Sequence, residues 1–407
     1  MTTATPRHAG TSGFGHAMLE HWALDPAITY LNHGTVGAPP RVALAAQQSI
    51  RDAIELQPSR FMLRELTEVI AGMPRPDRPR MRVAAEAVAA FVGARGEDVA
   101  FVDNATTGVN AVLRSFPLSA GDQILLTDHT YGAVAHTARF VARERGALVV
   151  TVELPHPARD PEAIVDAVAG AITERTRLLL IDHITSLSAL VLPVREIARR
   201  ARERGVPVLV DGAHAPGAIA LDIPSLGVDW YTGNLHKWAY SPRSSGILWV
   251  KPERKAGLHP TVISWGLDRG FSAEFDLQGT RDPSAHLAAP AGIEFMRTLG
   301  IEAVRAHNHD LAFASGRLLA ARWNTRFEAD ERMIGTMATV PLPAALGSTV
   351  EDAARLRDAL LFEDHIEVEV HPARGALRAR ISAQVYNEAS DYRRLADAVL
   401  ARNGSPS

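Results

Sequence analysis

The chain has 407 residues, 46% of them apolar and 22% charged, and a formal net charge of -3. That much apolar material builds a large core, and the near balance of 43 Lys+Arg against 46 Asp+Glu excludes both a basic nucleic-acid footprint and a highly charged disordered chain. The sequence contains no cysteine, which excludes disulfides, thiolate zinc sites, iron–sulfur clusters and cysteine nucleophiles. At roughly 150 residues per domain, the length predicts two domains, three at most.

Residues 1–28 read as an N-terminal arm. Met1 to Phe14 is polar and lacks the apolar stretch of a secretory signal. No strand precedes Gly10, Gly13 and Gly15, so these glycines do not make a nucleotide loop. No apolar run approaches the roughly 18 residues that span a bilayer. The expectation is a cytoplasmic protein with neither membrane nor nucleic-acid partners. Next comes Tyr30-Leu31-Asn32-His33-Gly34, and after it Pro39-Pro40 opens a helix over 41–56. The run from Met73 to Arg80, with three prolines and three arginines, reads as a loop.

Beyond it the pattern becomes regular. Helices at 83–93, 106–115, 132–145, 161–173 and 194–204 alternate with short apolar strands at 99–102, 123–127, 147–152, 177–182 and 206–210. Such alternation predicts an α/β fold of three layers: a mostly parallel, seven-stranded sheet with helices on both faces. The strands 228–231 and 246–250 have no full helix between them, which permits an antiparallel member. This large domain spans 29–285, with 29–50 free to pack against the next one. Residues 286–407 read as a smaller α+β domain. Its helices are at 288–299, 301–321 and 389–402, and its strands at 335–341, 366–370 and 376–382.

Ligands of open α/β sheets bind at the carboxyl ends of the strands. Four segments with useful chemistry fall there. Asn104-Ala105-Thr106-Thr107-Gly108 offers hydroxyls and N–H groups at a helix start, either for a phosphate or for plain capping. Asp128-His129-Thr130-Tyr131 offers a ring that stacks on a planar ligand, or a strand-end capping cluster. Asp211-Gly212-Ala213-His214 follows an apolar strand, and its carboxylate suits a metal, acid–base work or a cationic ring nitrogen. In Thr232-Gly233-Asn234-Leu235-His236-Lys237-Trp238, Lys237 sits in apolar surroundings that lower an amine's pKa, or else it snorkels to the surface. Taken together the four form a holder for pyridoxal 5′-phosphate: donors for the phosphate, a face for the ring, a carboxylate for the pyridine nitrogen and an amine for the aldehyde.

These segments resemble the class V aminotransferase family, which has the aspartate-aminotransferase type of fold. Gly279-Thr280-Arg281-Asp282 and Arg380-Ile381-Ser382 with Tyr386-Asn387 add to the resemblance, which covers about residues 30–400. The match is closer to isopenicillin N epimerase-like proteins, through Leu31-Asn32-His33-Gly34-Thr35-Val36-Gly37 and Asn234-Leu235-His236-Lys237-Trp238. The resemblance implies that Lys237 forms the Schiff base and is the catalytic residue, that Asp211 pairs with the pyridine nitrogen and that His214 lies near the ring hydroxyl. It gives Thr106, Thr107, His236 and Asn234 (or Thr232) to the phosphate. His129 is the stacking ring, with Tyr131 as the alternative. Thr280 reaches the phosphate of a neighbouring subunit, which implies a homodimer with shared active sites. Arg380 clamps the substrate α-carboxylate, although Arg378 stands on the same face, and Asn32 and His33 line the substrate side.

This set implies an enzyme that forms a carbanion at Cα of an amino acid or amino-acid-derived metabolite. An isopenicillin N epimerase-like epimerisation is the first expectation; β-elimination by a C–S lyase and transamination are the alternatives. The absence of cysteine is read as excluding a persulfide-forming cysteine desulfurase. Two readings of other classes stand beside these. One is a cofactor-binding protein without catalysis. The other is metal-dependent hydrolysis through His307, His309 and Asp310, which the facing-apart of His307 and His309 on a helix disfavours, so no metal is expected.

Overall fold

The computed structural model describes residues 13–67, 72, 73 and 78–403. Gly10 of the arm and residues 74–77 of the proline–arginine loop lie outside the described residues. The chain divides into two compact units. The larger holds Gly34–Ile293 and Glu328–Gly335; the smaller holds the residues up to His33, Glu294–Phe327 and those from Thr336 on.

Among the described residues, twelve strands follow in chain order: β1 (Thr29–Tyr30), β2 (Val99–Val102), β3 (Gln123–Thr127), β4 (Leu148–Val152), β5 (Thr176–Asp182), β6 (Val208–Asp211), β7 (Trp230–Asn234), β8 (Gly246–Val250), β9 (Met337–Pro341), β10 (Ile366–Glu367), β11 (Glu369–Ala373) and β12 (Ala376–Ser382). The larger unit is built on a seven-stranded sheet in the order β2-β8-β7-β6-β5-β3-β4. β3 to β7 are parallel, and β8 runs antiparallel to both β7 and β2. The α/β architecture expected from the sequence is therefore present, including the antiparallel member. β2, β3, β6, β7 and β8 are buried along their whole length. Strands covered on both faces have no solvent side to alternate toward, which is why they read as continuous apolar runs.

Local chemistry starts the helices. Asn104 caps Ala105–Ser115 by accepting from the Thr107 N–H, and Asp160 caps Pro161–Gly170 with the proline in the first turn. Val109 and Val112 of the first of these helices, with Val134, Ala138 and Val141 of Gly132–Arg145, close over Leu178, Leu180, Leu209 and Leu248 of the sheet. Each valine or leucine among these contributes about 1.5–3 kcal/mol when withdrawn from water. The parallel strands β3, β5, β6 and β7 all end on one edge. Asp128, Asp182, Asp211 and Asn234 are carried there.

In the smaller unit β11-β12-β9 form an antiparallel sheet, and β1 pairs in parallel with β10. Leu377, Ala379 and Ile381 of β12 point into the core, so Arg378 and Arg380 share the other face. Helix Val350–Phe362, opened by a Thr349/Asp352 capping box, has no counterpart in the sequence reading. Only Ala353, Leu356 and Leu360 of it are buried, too thin a stripe to stand out. A 3-10 helix at His16–His21 leads to Trp22, which packs edge-on to Phe295 and Tyr386 at 5.7 and 5.0 Å. Among the described residues no helix is long and apolar enough to cross a membrane.

Candidate active site

Lys237 follows β7 and is buried, with 9% exposure. Its Nζ lies 3.1 Å from Nε2 of His214, which is itself buried. Gly37 helps to fix this segment. It has φ +68, and a Cβ on it would stand 1.8 Å from the His236 carbonyl oxygen, so only glycine lets the chain pass here. Arg243 donates to the Gly37 carbonyl at 2.9 Å and ties the same approach.

Asp211 closes β6. Its Oδ1 accepts from the Ala213 N–H at 3.0 Å. Burial raises its pKa, while that N–H and the Lys237 charge oppose the rise. Behind it Tyr231 is fully buried and pairs its hydroxyl with His183 Nδ1 at 2.8 Å. Burial holds His183 neutral, with a pKa of about 4.

Thr106 and Thr107 sit in the first turn of the helix that Asn104 caps, so both the capping and the donor-bearing character of this segment are present. Asn234 Oδ1 accepts from the Ala105 N–H at 2.8 Å and joins β7 to that helix start. Gly108 permits the approach: a Cβ there would come within 2.2 Å of Thr232 Oγ1. His236 Nδ1 donates to the Ser245 carbonyl at 3.2 Å, which leaves the neutral ring with its lone pair on Nε2. Burial first, then the Lys237 charge, lowers its pKa to about 4.

His129 lies in the turn after β3. This turn is tied at several points: Asp128 Oδ1 accepts from the Leu154 N–H at 2.9 Å, and Thr130 Oγ1 from the Thr127 N–H at 3.1 Å. Nδ1 of His129 is 2.5 Å from Ser188 Oγ. Tyr131, the alternative stacking ring, is exposed and precedes helix Gly132–Arg145. Thr280 is exposed beside Gly279, while its neighbours Arg281 and Asp282 pair with Asp103 and Arg51.

In the smaller unit, Arg380 is buried and its Nη2 is 3.4 Å from Asn32 Oδ1. Asn32 Nδ2 donates to Glu367 at 2.7 Å, and His33 Nδ1 meets the Tyr386 hydroxyl at 2.9 Å. Arg380 and Asn32 are thus brought together in one unit, and Lys237, His214, Asp211, His236, Asn234, Thr106 and Thr107 in the other. The sequence reading missed a fifth strand end, that of β5. Asp182, Thr185 and Ser188 follow there, and a polar run directly after an apolar strand was the available signal.

The donor set can be tested against pyridoxal phosphate on chemistry alone. A buried amine, a buried carboxylate one strand away and a helix start closed onto β7 are what its aldehyde, ring nitrogen and phosphate each require. The residues fit. The model of the family described as Aminotransferase class-V matches residues 78–355. The chain belongs to the class V aminotransferase family. Its cofactor is pyridoxal 5′-phosphate. Among its relatives, this class V chain is 32% identical to "Probable L-cysteine desulfhydrase, chloroplastic" of Arabidopsis thaliana, over 93% of this chain and 84% of that one. It is 34% identical to an isopenicillin N epimerase of Streptomyces clavuligerus, over 94% and 96%. A solved cystine C–S lyase, in complex with its product cysteine persulfide, superposes with a TM-score of 0.75 at 20% identity, over 91% of this chain and 97% of that one.

These findings overturn one expectation. The absence of cysteine was read as excluding a persulfide-forming cysteine desulfurase. Yet desulfhydrases stand among the relatives, and cysteine desulfurases among the solved neighbours of the fold. The physical error is plain: a chain without cysteine lacks only a sulfur acceptor of its own. The lyase above releases its persulfide on a small molecule.

Proposed function

We propose that this class V enzyme removes the Cα proton of a sulfur-bearing amino acid and expels the sulfur from Cβ. The observation that carries the reading is the buried Lys237 amine beside His214, one base of the kind such chemistry requires. Bound pyridoxal phosphate supplies an aldehyde for the substrate amine and a protonated ring that takes up the electron pair left at Cα. Asp211 keeps a proton on the ring nitrogen. Thr106, Thr107, Asn234 and His236 hold the phosphate, and His129 lies against the ring. Lys237 takes the Cα proton, with His214 as its hydrogen-bonded neighbour. Arg380 holds the substrate carboxylate as a fork, with Asn32 and His33 beside it. The Cβ–S bond breaks with its electron pair on sulfur, the thiol leaves with a proton, and water completes release as a keto acid and ammonia. The similarity to desulfhydrases supports this branch. Exposed Thr280 is proposed to reach a neighbouring subunit of a homodimer.

Epimerisation is the second reading, favoured by the 96% of the Streptomyces epimerase that the alignment spans. A panel of amino acids in D₂O separates the two. Keto acid, ammonia and free thiol or sulfide mark elimination; deuterium at Cα with inverted configuration and no keto acid marks epimerisation and sinks the first reading.

A further inference from the structure

The loop after β5 is an unusual construction. Thr185 Oγ1 accepts from the Leu190 N–H at 2.8 Å, and the Ala189 N–H returns to the Thr185 carbonyl at 3.1 Å. Ala189 is fully buried and adopts φ +58, a left-handed conformation that costs an alanine on the order of 1 kcal/mol. The loop closes in spite of that cost. What it presents is the Ser188 hydroxyl, 2.7 Å from Thr185 Oγ1 on one side and 2.5 Å from His129 Nδ1 on the other.

Proton counting gives this chain of three groups a direction. Thr185 Oγ1 accepts the Leu190 N–H on one of its two lone pairs and has one hydrogen to give. Two acceptors compete for it, Ser188 Oγ at 2.7 Å and the Leu190 carbonyl at 3.4 Å. The shorter contact takes the hydrogen. Ser188 then accepts from Thr185 and has its own hydrogen left for His129 Nδ1. In this arrangement the neutral ring carries its hydrogen on Nε2, the side 3.8 Å from Asp128 Oδ1.

We propose that Ser188 is a positioning residue for His129, a donor backed by Thr185 that fixes both the plane of the imidazole and its Nε2–H form. The inference rests on the reading that His129 lies against the cofactor ring. Its consequence there is a neutral stacking face. Adding a proton at Nδ1 requires both hydroxyls to reverse and leaves Thr185 donating over 3.4 Å. A protonated cofactor ring is thus met by an imidazole held uncharged rather than by a second cation.

Histidine-labelled holoenzyme tests this by long-range ¹⁵N–¹H correlation, which distinguishes the two neutral forms from the cation. The His129 signals are assigned by their loss in His129→Gln. Native protein should show one form, Nε2–H. Ser188→Ala should show a mixture, with cofactor release faster by up to about tenfold, the size of one misaligned aromatic contact. Ser188→Thr keeps the hydroxyl and should restore the single form. A native Nδ1–H form, or an unchanged pattern in Ser188→Ala, overturns the proposal. The same spectra taken without and with cofactor examine the reading beneath it. His129 signals that ignore added cofactor overturn the stacking role, whatever Ser188 does to the ring.

Discussion

Asp182 and Asp211 stand in register at the ends of neighbouring parallel strands, both closed off from water. Burial raises Asp182 well above the usual carboxylate range, and the Asp211 charge raises it further; the Tyr131 N–H pulls the other way. Lys237 offsets the cost of charge on Asp211 alone. Two carboxyls this close do not both ionise readily, so Asp182 keeps the proton and Asp211 the charge.

Asp182→Asn imitates that protonated acid and should alter stability with a definite sign. The folded chain holds a proton on Asp182 that the unfolded chain releases above about pH 4. Stability from this group therefore falls as pH rises from that value through its raised folded one. Denaturant midpoints should show the variant gaining on the native protein as pH rises from about 4 toward the raised folded pKa of Asp182. A difference that stays constant, or that moves in favour of the native protein as pH rises, contradicts the assignment of the proton to Asp182.

His236 predicts that cofactor binding takes up a proton. The unliganded ring is neutral above its pKa of about 4, with Nδ1–H committed to Ser245. A phosphate dianion offers only acceptors, so contact with Nε2 requires the imidazolium. The share of the affinity that comes from His236 should then weaken as pH rises above about 4. Titration calorimetry in buffers of different ionisation enthalpy reads the uptake directly, and His236→Asn should remove the protein's share. Equal uptake in the variant would take His236 off the phosphate.

Lys237→Ala should abolish the covalent link to the cofactor. Borohydride reduction of native protein should add the cofactor's mass to the peptide containing Lys237, and none to the variant. Mass addition at another lysine would relocate the reactive amine. Residual binding of cofactor by the variant is expected, since Asp211 and the helix start are untouched.

Arg380→Ala should raise KM for the amino acid on the order of 10²-fold while cofactor absorbance stays near native, because a forked carboxylate contact is worth several kcal/mol when lost. Arg380→Lys should recover only part of this, since one ammonium does not reproduce the fork. If Arg378→Ala gives the larger effect, the clamp is the neighbour on the same face of β12.

The parallel core was legible because its strands are buried on both faces, and Val208–Val210 or Leu178–Ile181 have no other reading. Lys237 and Asp211 stood out in the sequence because a charged group at or near the end of a buried strand needs a partner. Ser188 did not, since a serine among Thr185, Ser186 and Leu187 looks like any solvated loop until the chain folds it against His129. Asp182 carried the same strand-end signal as Asp211, but its importance comes from the partner it meets across a strand pairing. Cross-strand neighbours are a property of register, which a linear reading does not contain.

The crowding of Gly37 against the His236 carbonyl has a consequence of its own. Position 37 is two hundred residues from Lys237 in sequence, and it has no side chain with which to act. Yet the smallest possible enlargement there would shove the peptide that carries the amine. The site is thus vulnerable through a hydrogen atom: what Gly37 provides is room.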